Sequence, residues 1–271
     1  MFTRAIVRPP APNFAEGLTT SSLGTPHYER ALKQHEAYCA ALETCGLKLT
    51  RLEPDEQFPD STFVEDTAVI AGKCAILTCP GAPSRAGEIV AMRGVLADFF
   101  PALSEIISPG TVDGGDVCEA GKHFFIGTSE RTNEAGAQQL ATTLTAQGYT
   151  SSFVDIRRWH AHPARETRAG RPCHADLLHL KSGLAYLGDN RLVVTETLAE
   201  RAEFAGYDLI QVEADEEYAA NCVSVNDYVL IAAGYPSLEA NLSALGYQSI
   251  PLEMSEFQKM DGGLSCLSLR F

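Results

Sequence analysis

The feature that most constrains this chain is a repeated order of predicted elements, in which a β-hairpin is followed by a helix and a further strand. Thr67–Thr78 alternates apolar and polar residues around Gly72-Lys73, which predicts a hairpin. Apolar residues at helical spacing predict a helix over Ser84–Phe100, which Pro101 ends. The chain is then predicted to return as a strand at Ser104–Ile107.

The same order recurs three more times, in copies that begin at Asp116, Leu178 and Ala220. In the copy that begins at Asp116, the predicted turn is Gly121-Lys122, the helix Asn133–Gln147 and the final strand Ser151–Ile156. In the copy that begins at Leu178, they are Gly188-Asp189-Asn190, Leu198–Phe204 and Leu209–Val212. In the copy that begins at Ala220, they are Asn226-Asp227, Ser237–Leu245 and Gln248–Leu252. Repeated units bury faces that no single unit can bury alone, so we expect them to pack in a ring.

The two ends of the chain complete a fifth copy. We expect the strand that carries Cys266 to pair with Phe2–Arg8, followed by a helix over Pro26–Cys45 and a strand over Lys48–Leu52. This pairing would leave no exposed sheet edge at the termini. The predicted fold is therefore α/β: a five-module ββαβ propeller, one domain over residues 1–271, closed by pairing of the N- and C-terminal strands. A doubly wound sheet is the alternative, and the short Gly and Asn hairpin turns count against it.

Composition and charge limit the classes of function. With 271 residues, 45% of them hydrophobic and 21% charged, the sequence is typical of an ordinary globular chain. The formal net charge of −14 argues against nucleic acid and anionic membranes as partners and favours a cationic small molecule. The N-terminus lacks the apolar core of a signal peptide, so we expect a cytoplasmic protein. Its eight scattered cysteines are then expected to be reduced thiols, and their spacing does not suit structural zinc.

Four segments at the starts of successive modules carry reactive side chains. They span residues 60–66, 111–116, 178–183 and 262–266, and they supply several carboxylates, the imidazole of His179 and the thiol of Cys266. Each also has a structural explanation, because Asp66 or Asp116 could cap a turn while His179 and Cys266 could be core residues. Their recurrence at one place in each module favours a shared site.

These residue types suit a guanidinium substrate. Carboxylates around a thiol raise its pKa and impair a thiolate nucleophile, unless a cation enters with the substrate. A guanidinium is planar and can pair with carboxylates through parallel N–H donors. We expect it to place its central carbon beside Cys266, with His179 protonating a leaving amine and later activating water.

Six motifs then carry a resemblance to a known family. In chain order they are Phe63–Asp66, Asp113–Asp116, the arginine within Ser129–Asn133, His179–Lys181, Ala219–Cys222 and Asp261–Cys266. Together they resemble the dimethylarginine dimethylaminohydrolase family of the guanidino-modifying (pentein) superfamily, over Leu18 to Phe271. Each motif is weak alone, whereas the ordered set is specific.

The resemblance implies hydrolysis of Nω,Nω-dimethyl-L-arginine or Nω-methyl-L-arginine to L-citrulline and a methylamine, without a cofactor and with no residue assigned to a metal. It implies that Cys266 forms a covalent thiouronium intermediate and that His179 is the general acid and base. Asp113, where some relatives carry Glu, would orient His179. Substrate-binding roles are implied for Glu65 and Asp66 at the guanidinium, for Asp60 and the Leu18 backbone at the α-amino group, and for Arg85 and Arg131 at the α-carboxylate. From the residues alone, the two arginines are equally well explained as solvated residues at helix starts.

Two further segments stand out. Residues 13–25 are small, polar and glycine-flanked, which predicts a lid over the active site, with a plain long connection as the alternative. Residues 157–176 form a basic insertion where the family has a shorter link. We interpret it as an exposed loop rather than as a metal site built from His160, His162, Cys173 and His174, because no two of these share a fixed element.

Two other functions compete with this interpretation. An arginine deiminase would use similar groups on unmethylated arginine, although the chain is short for that enzyme and shows no inserted helical domain. A catalytically silent module that binds arginine-like cations is the alternative from another class, but both the thiol and the histidine stand at the motif positions. The sequence leaves open whether the protein forms a homodimer.

Overall fold

The computed structural model describes residues 1–157 and 177–271. Within them the strands are β1 Arg4–Val7, β2 Lys48–Arg51, β3 Ala68–Ala71, β4 Cys74–Leu77, β5 Ala102–Glu105, β6 Val117–Ala120, β7 His123–Thr128, β8 Thr150–Asp155, β9 Leu184–Gly188, β10 Arg191–Val194, β11 Asp208–Gln211, β12 Val223–Val225, β13 Tyr228–Ala232, β14 Gln248–Leu252 and β15 Leu269–Arg270. The α-helices are α1 Tyr28–Thr44, α2 Glu88–Ala97, α3 Glu134–Ala146, α4 Glu196–Ala199, α5 Pro236–Ala244 and α6 Ser255–Gln258.

The strands form five three-stranded sheets of one design. In each sheet an antiparallel hairpin is followed by a helix, and a third strand returns parallel to the second hairpin strand. Modules 1 to 4 follow one another as β3-β4-β5, β6-β7-β8, β9-β10-β11 and β12-β13-β14. The α/β class and the repeated ββαβ order are therefore confirmed.

Module 5 is assembled from both chain ends, as predicted. Its strand order is β15-β1-β2, and β15 pairs antiparallel with β1 through Ala5 opposite Arg270 and Ile6 opposite Leu269. The carbonyl of Phe271 also accepts hydrogen bonds from the N–H groups of Thr3 at 2.9 Å and Arg4 at 2.8 Å. The two termini thus belong to one sheet.

The hairpin turns lie where the sequence places them. Gly72 and Gly121 have φ of 61° and 69°, and Asn190 and Asn226 have φ of 62° and 55°. Glycine and asparagine adopt this left-handed region most readily, which explains why these residues mark the turns.

Two predicted elements differ from those observed. The single helix expected over Leu198–Phe204 is split into α4 and a 3₁₀ turn, with extended backbone at Arg201, so that both Leu198 and Phe204 are buried in the core. Cys266 was expected to lie on the final strand, but it lies on the 3₁₀ turn Ser265–Leu267, before the two-residue strand β15.

Buried residues form five apolar clusters, each of which draws on two modules. In β4, for example, Ile76 lies in the cluster shared with module 2, whereas Ala75 and Leu77 lie in the cluster shared with module 5. Successive side chains of a strand point to opposite faces, so the middle strand of each sheet is buried on both sides. Over the described residues, the helices are too short or too polar to cross a lipid bilayer.

The terminal pairing makes a prediction about stability. Leu269 is 5% exposed, on β15, in the cluster shared between modules 5 and 1. Leu269→Ala should lower the free energy of unfolding by about 2–5 kcal/mol, because it removes buried methyl groups and leaves a cavity. Urea unfolding measures this change.

The matched control for that experiment is Leu245→Ala, at a leucine that is 45% exposed. This substitution should change the unfolding free energy by less than about 0.5 kcal/mol. Equal effects of the two substitutions would contradict a stabilising role for the terminal sheet.

Candidate active site

The candidate site is built from short turns at one end of the modules. The 3₁₀ turns Val64–Thr67, Gly114–Asp116, Leu180–Ser182 and Ser265–Leu267 each precede the first strand of a module. These turns, the positions next to them and neighbouring loops line one pocket. Its lining residues are Leu18, Asp60, Phe63, Asp66, Arg85, Asp113, Arg131, Leu178, His179, Met260, Asp261, Gly262 and Cys266. The structure therefore brings together every predicted site residue except Glu65.

Close approach of the turns requires glycine at position 115. A Cβ atom built there would lie 2.6 Å from Nδ1 of His179 and 3.0 Å from Oδ1 of Asp66. The backbone N–H of Gly115 instead donates to Oδ1 of Asp66 at 2.8 Å. A side chain at this position would push the imidazole and the carboxylate apart.

His179 is held by Asp113, as the family resemblance implies. Nε2 of His179 lies 3.0 Å from Oδ2 of Asp113, and the other Asp113 oxygen accepts the N–H of Gly81 at 2.8 Å. Burial alone would lower the pKa of His179, but Asp66, Asp113 and Asp116 raise it to about 9. The aspartate at 113 thus reaches the ring despite its short side chain, and the imidazole is mostly protonated at neutral pH.

Cys266 presents a protonated thiol to the same pocket. Burial, followed by the charges of Glu65 and Asp66, raises the pKa of this thiol to about 12. The N–H of Gly263 points at Sγ at 3.5 Å and partly opposes the rise. The thiol is therefore protonated at neutral pH, and a positive charge beside it would favour the thiolate.

Asp66 is fixed by an arginine and stays ionised. Its Oδ2 accepts from Nη1 of Arg85 at 2.6 Å. Burial alone would raise the pKa of Asp66, but His179, Arg85 and the Gly115 N–H lower it to about 2. Arg85 is 5% exposed and also forms a two-point contact with Glu88. The alternative of a solvated arginine is therefore wrong at position 85.

Glu65 points away from the pocket that Asp66 lines. Its oxygens contact Nζ of Lys181 at 2.6 Å and Oγ of Ser265 at 2.8 Å, and Nη2 of Arg270 lies 3.6 Å away. Glu65, Lys181 and Ser265 line a second cavity of about 660 Å³. Adjacent residues of a turn project in different directions, which separates Glu65 from Asp66. The implied contact of Glu65 with the guanidinium stays a prediction that this geometry does not favour.

The opposite end of the pocket carries Asp60, Leu18 and Arg131. Both oxygens of Asp60 accept the N–H of Leu18, at 3.0 and 3.2 Å. Arg131 is half-buried and, over the described residues, has no carboxylate within ion-pair distance. It is thus a cation available to a bound anion.

The predicted lid over residues 13–25 has an anchored start and an exposed remainder. Phe14 is buried and packs against Phe63 and Phe257, with ring centroids 5.9 and 5.5 Å apart. Farther along, the carboxylate of Asp261 accepts from the N–H and hydroxyl groups of Thr20. The exposed part is therefore attached to the segment that carries Cys266. Whether it opens and closes stays a prediction.

Sequence reasoning gave no role to several residues that shape this site. Met260 and Asp261 line the pocket, Glu88 holds Arg85, and the amide of Asn221 bonds both Ser265 and the carbonyl of Lys181. Asn221 and Asp261 stand within the family motifs, and the spacing of three between Arg85 and Glu88 allows an ion pair on one helical turn, whereas Met260 had no signal.

Among the residues that the structure describes, one group of side chains has the composition of a metal site. Asp66, Asp113 and His179 offer ligand atoms within 4.8 Å of one another. Their carboxylates and Nε2 already have the partners described above, so we assign no metal to them. The insertion 157–176 lies outside the described residues apart from Arg157, which pairs with Glu134 at 2.7 Å. His160, His162, Cys173 and His174 all lie in the part that is not described.

Comparison with known proteins gives the family. No protein-family model matches the sequence. The chain is 43% identical, over 272 residues and all of both chains, to N(G),N(G)-dimethylarginine dimethylaminohydrolase of Pseudomonas aeruginosa. It is 32% identical to the enzyme of the same name from Streptomyces coelicolor, covering 98% of this chain and 96% of that one. This chain belongs to the dimethylarginine dimethylaminohydrolase family.

Solved structures agree with this assignment. A variant of the Pseudomonas aeruginosa dimethylarginine dimethylaminohydrolase complexed with citrulline matches with a TM-score of 0.91 and 42% identity, over all of both chains. The N-terminal domain of the cyanobacterial arginine dihydrolase ArgZ matches with a TM-score of 0.84 at 18% identity, which shows a common fold alone.

For this member of the dimethylarginine dimethylaminohydrolase family, the raised pKa of the Cys266 thiol makes a prediction. Alkylation of Cys266 by neutral iodoacetamide should be slow at pH 7 and rise about tenfold per pH unit up to at least pH 10, because only the thiolate reacts. A haloacetamidine, whose cationic group resembles a guanidinium, should react much faster at pH 7. Mass spectrometry of the Cys266 peptide measures both rates.

The half-buried Cys79 provides an internal reference for reagent access. Asp66→Asn should increase the rate with iodoacetamide, because one of the charges that raise the thiol pKa is lost. An ordinary thiol has a pKa of about 8.5. If the rate of alkylation by iodoacetamide levels off well below that pH, the result would contradict activation by the ligand and indicate a preformed thiolate.

Proposed function

We propose that this chain hydrolyses Nω,Nω-dimethyl-L-arginine, and Nω-methyl-L-arginine, to L-citrulline and dimethylamine or methylamine. The observation that carries the proposal is one pocket with Cys266, the His179–Asp113 pair and Asp66 at one end and, at the other, Arg131, which meets no carboxylate within residues 1–157 and 177–271. Close relatives bear the name of this activity, and one solved relative holds citrulline. The two ends of the pocket match the cationic guanidinium and the α-carboxylate of one amino acid.

The charges suggest an order for the first half-reaction. The guanidinium pairs with Asp66, its positive charge lowers the pKa of the Cys266 thiol, and the thiol proton leaves to solvent. The thiolate then attacks the guanidinium carbon, and His179, protonated beforehand, donates its proton to the leaving dimethylamine. A thiouronium remains on Cys266.

The second half-reaction regenerates the enzyme. Neutral His179 takes a proton from water, and the resulting hydroxide adds to the thiouronium carbon. The bond to sulfur then breaks, and the proton of the added hydroxyl passes to the Cys266 thiolate, so that the thiol and protonated His179 are restored. Substrate and water are thereby converted to citrulline and dimethylamine. Asp113 keeps the imidazole in place through both steps, since its other oxygen is held by Gly81.

The position of Glu65 favours methylated arginine over arginine. Because Lys181 and Ser265 hold Glu65 on the far side of the turn, Asp66 is the carboxylate left to face the reacting end of the guanidinium. One carboxylate pairs with one edge of a guanidinium and leaves the other nitrogen without an acceptor. A dimethylated nitrogen has no hydrogen to donate and suits that position, which counts against the arginine deiminase alternative.

We also infer that the five modules close into one ring and one domain. Each apolar cluster is shared by two neighbouring modules, and one joins module 5 to module 1 through Ile6, Leu269 and Leu77. A cytoplasmic location and a homodimer stay predictions.

The activity itself is tested by product release. Purified protein should release citrulline from dimethylarginine and monomethylarginine, and much less from arginine. Cys266→Ser should reduce turnover at least about 10³-fold while the protein stays folded, because the hydroxyl keeps the shape but is a far weaker nucleophile. Turnover of Cys266→Ser within tenfold of the natural enzyme would exclude the covalent mechanism.

The role of Arg131 is tested with a substrate that lacks the α-carboxylate. Arg131→Ala should raise KM for dimethylarginine about 10- to 100-fold, since a charge-assisted contact is lost. The same substitution should leave dimethylagmatine, which has no carboxylate, nearly unaffected. An equal loss on both substrates would show that Arg131 does not bind the carboxylate.

A further inference from the structure

Glu88 is a buried carboxylate that lies behind Arg85. It is the first residue of α2, it is 2% exposed, and it accepts two hydrogen bonds from one edge of the Arg85 guanidinium. Nε of Arg85 donates to Oε1 and Nη2 donates to Oε2, each at 2.8 Å. Parallel contacts of this kind fix the plane of a guanidinium as well as its position.

The remaining donors of Arg85 show what this arrangement serves. Arginine has five N–H donors. Two go to Glu88, one from Nη1 goes to Asp66 at 2.6 Å, and one from Nη2 goes to the carbonyl of Phe63 at 3.1 Å. One Nη1 hydrogen is left, and Arg85 lines the substrate pocket. The arginine therefore orients Asp66 and can offer at most one donor to a ligand.

Charge gives Glu88 a second effect. Asp66 and Arg85 alone would form a neutral pair, and a neutral pair attracts a cationic ligand weakly. With Glu88 the buried trio carries one net negative charge, and Asp66 is the member that faces His179 and Cys266. The two contacts at 2.8 Å support ionised Glu88 against a burial that raises its pKa.

We propose that Glu88 is a positioning residue for guanidinium recognition, which holds Arg85 in the plane that orients Asp66 and neutralises Arg85 so that Asp66 keeps its charge for the substrate. This inference rests on the proposed function. The competing explanation is structural, because an acidic residue in the first turn stabilises any helix through its dipole.

The experiment compares a cationic ligand with a neutral one in the inactive Cys266→Ser background. Dimethylarginine and citrulline share the α-amino and α-carboxylate groups and differ at the reacting end, where citrulline is uncharged. Calorimetry measures binding to Cys266→Ser with and without Glu88→Gln. The Glu88→Gln substitution should weaken dimethylarginine binding roughly 10- to 30-fold, as expected when one charge near the guanidinium is removed. Citrulline binding should change less than about threefold.

The matched control is Glu216→Gln. Glu216 is also a buried carboxylate, but it accepts the N–H groups of Ser237 and Leu238 at the start of α5. Its substitution should lower stability and leave the ratio of the two affinities unchanged. An unchanged ratio with Glu88→Gln, or equal weakening of both ligands, would overturn the proposal and leave Glu88 a structural residue.

A double variant separates charge from folding. Arg85→Gln with Glu88→Gln removes one positive and one negative charge, so the net charge beside Asp66 is restored. The ratio of its affinities for dimethylarginine and citrulline should return toward the ratio of Cys266→Ser alone. This variant provides the test if Glu88→Gln does not fold. A ratio that is still reduced tenfold would overturn the electrostatic argument. Failure of Cys266→Ser itself to bind dimethylarginine would instead contradict the proposed function.

Discussion

The antiparallel pairing of β15 with β1 is the constraint on which the rest of the structure depends. It joins residues that are more than 260 positions apart in the sequence, through Ala5 opposite Arg270 and Ile6 opposite Leu269. It places the turn that carries Cys266 directly before the first strand of module 5, in the position that the turns of Asp66, Asp116 and Leu180 occupy in other modules. The pairing fixes the end of that turn, while Asn221 and Glu65 hold its start through Ser265. The contact that completes the fold therefore also helps to place the thiol in the site.

Two networks of buried charges meet at those turns. The cations of one network balance the charge of Glu65, whereas the other network leaves a net negative charge beside Asp66. Glu65 pairs with Lys181 and lies near Arg270, so these cations balance most of its charge, although it still contributes to the raised pKa of the Cys266 thiol. Asp66 shares Arg85 with Glu88, so a negative charge remains. Buried ion pairs add little net stability because desolvation offsets their attraction. Their value here is positional: neighbouring carboxylates of one turn are given different roles by the cations that each one meets.

The fold was largely predictable from the sequence because its signals are local and repeated. Each module is predicted separately by alternating apolar residues, by helical spacing and by a turn, as at Gly72, Gly121 and Asn226. Four such repeats made the fifth module, which is split between the chain ends, recognisable. The element boundaries were less certain. Cys266 was expected on a strand, but Ser265–Leu267 forms a turn, since pairing with β1 begins only at Leu269.

The sequence predicted which residues lie near the site, but not the directions in which their side chains point. Family motifs name Glu65 and Asp66 together, whereas their separation depends on where Lys181 and Arg85 lie in space. No local pattern contains that information, because the contacting residues are 116 and 19 positions away. Met260 was missed for the same reason, since it contributes to the pocket through its place beside Gly17 of the predicted lid.

The carboxylates around the pocket act on both the imidazole and the thiol. In the free protein the His179 imidazole is charged and the Cys266 thiol is neutral, since the pKa of His179 is raised to about 9 and that of Cys266 to about 12. Burial is the largest cause of the Cys266 shift, and the charges of nearby carboxylates add to it, whereas at His179 the carboxylates overcome the opposite effect of burial. A guanidinium that binds Asp66 partly cancels that field, which favours the thiolate while the leaving-group acid beside Asp113 is still protonated. In the proposed reaction, one arrangement of charge thus selects the ligand, favours the thiolate of Cys266 when the ligand arrives, and keeps the thiol protonated in its absence.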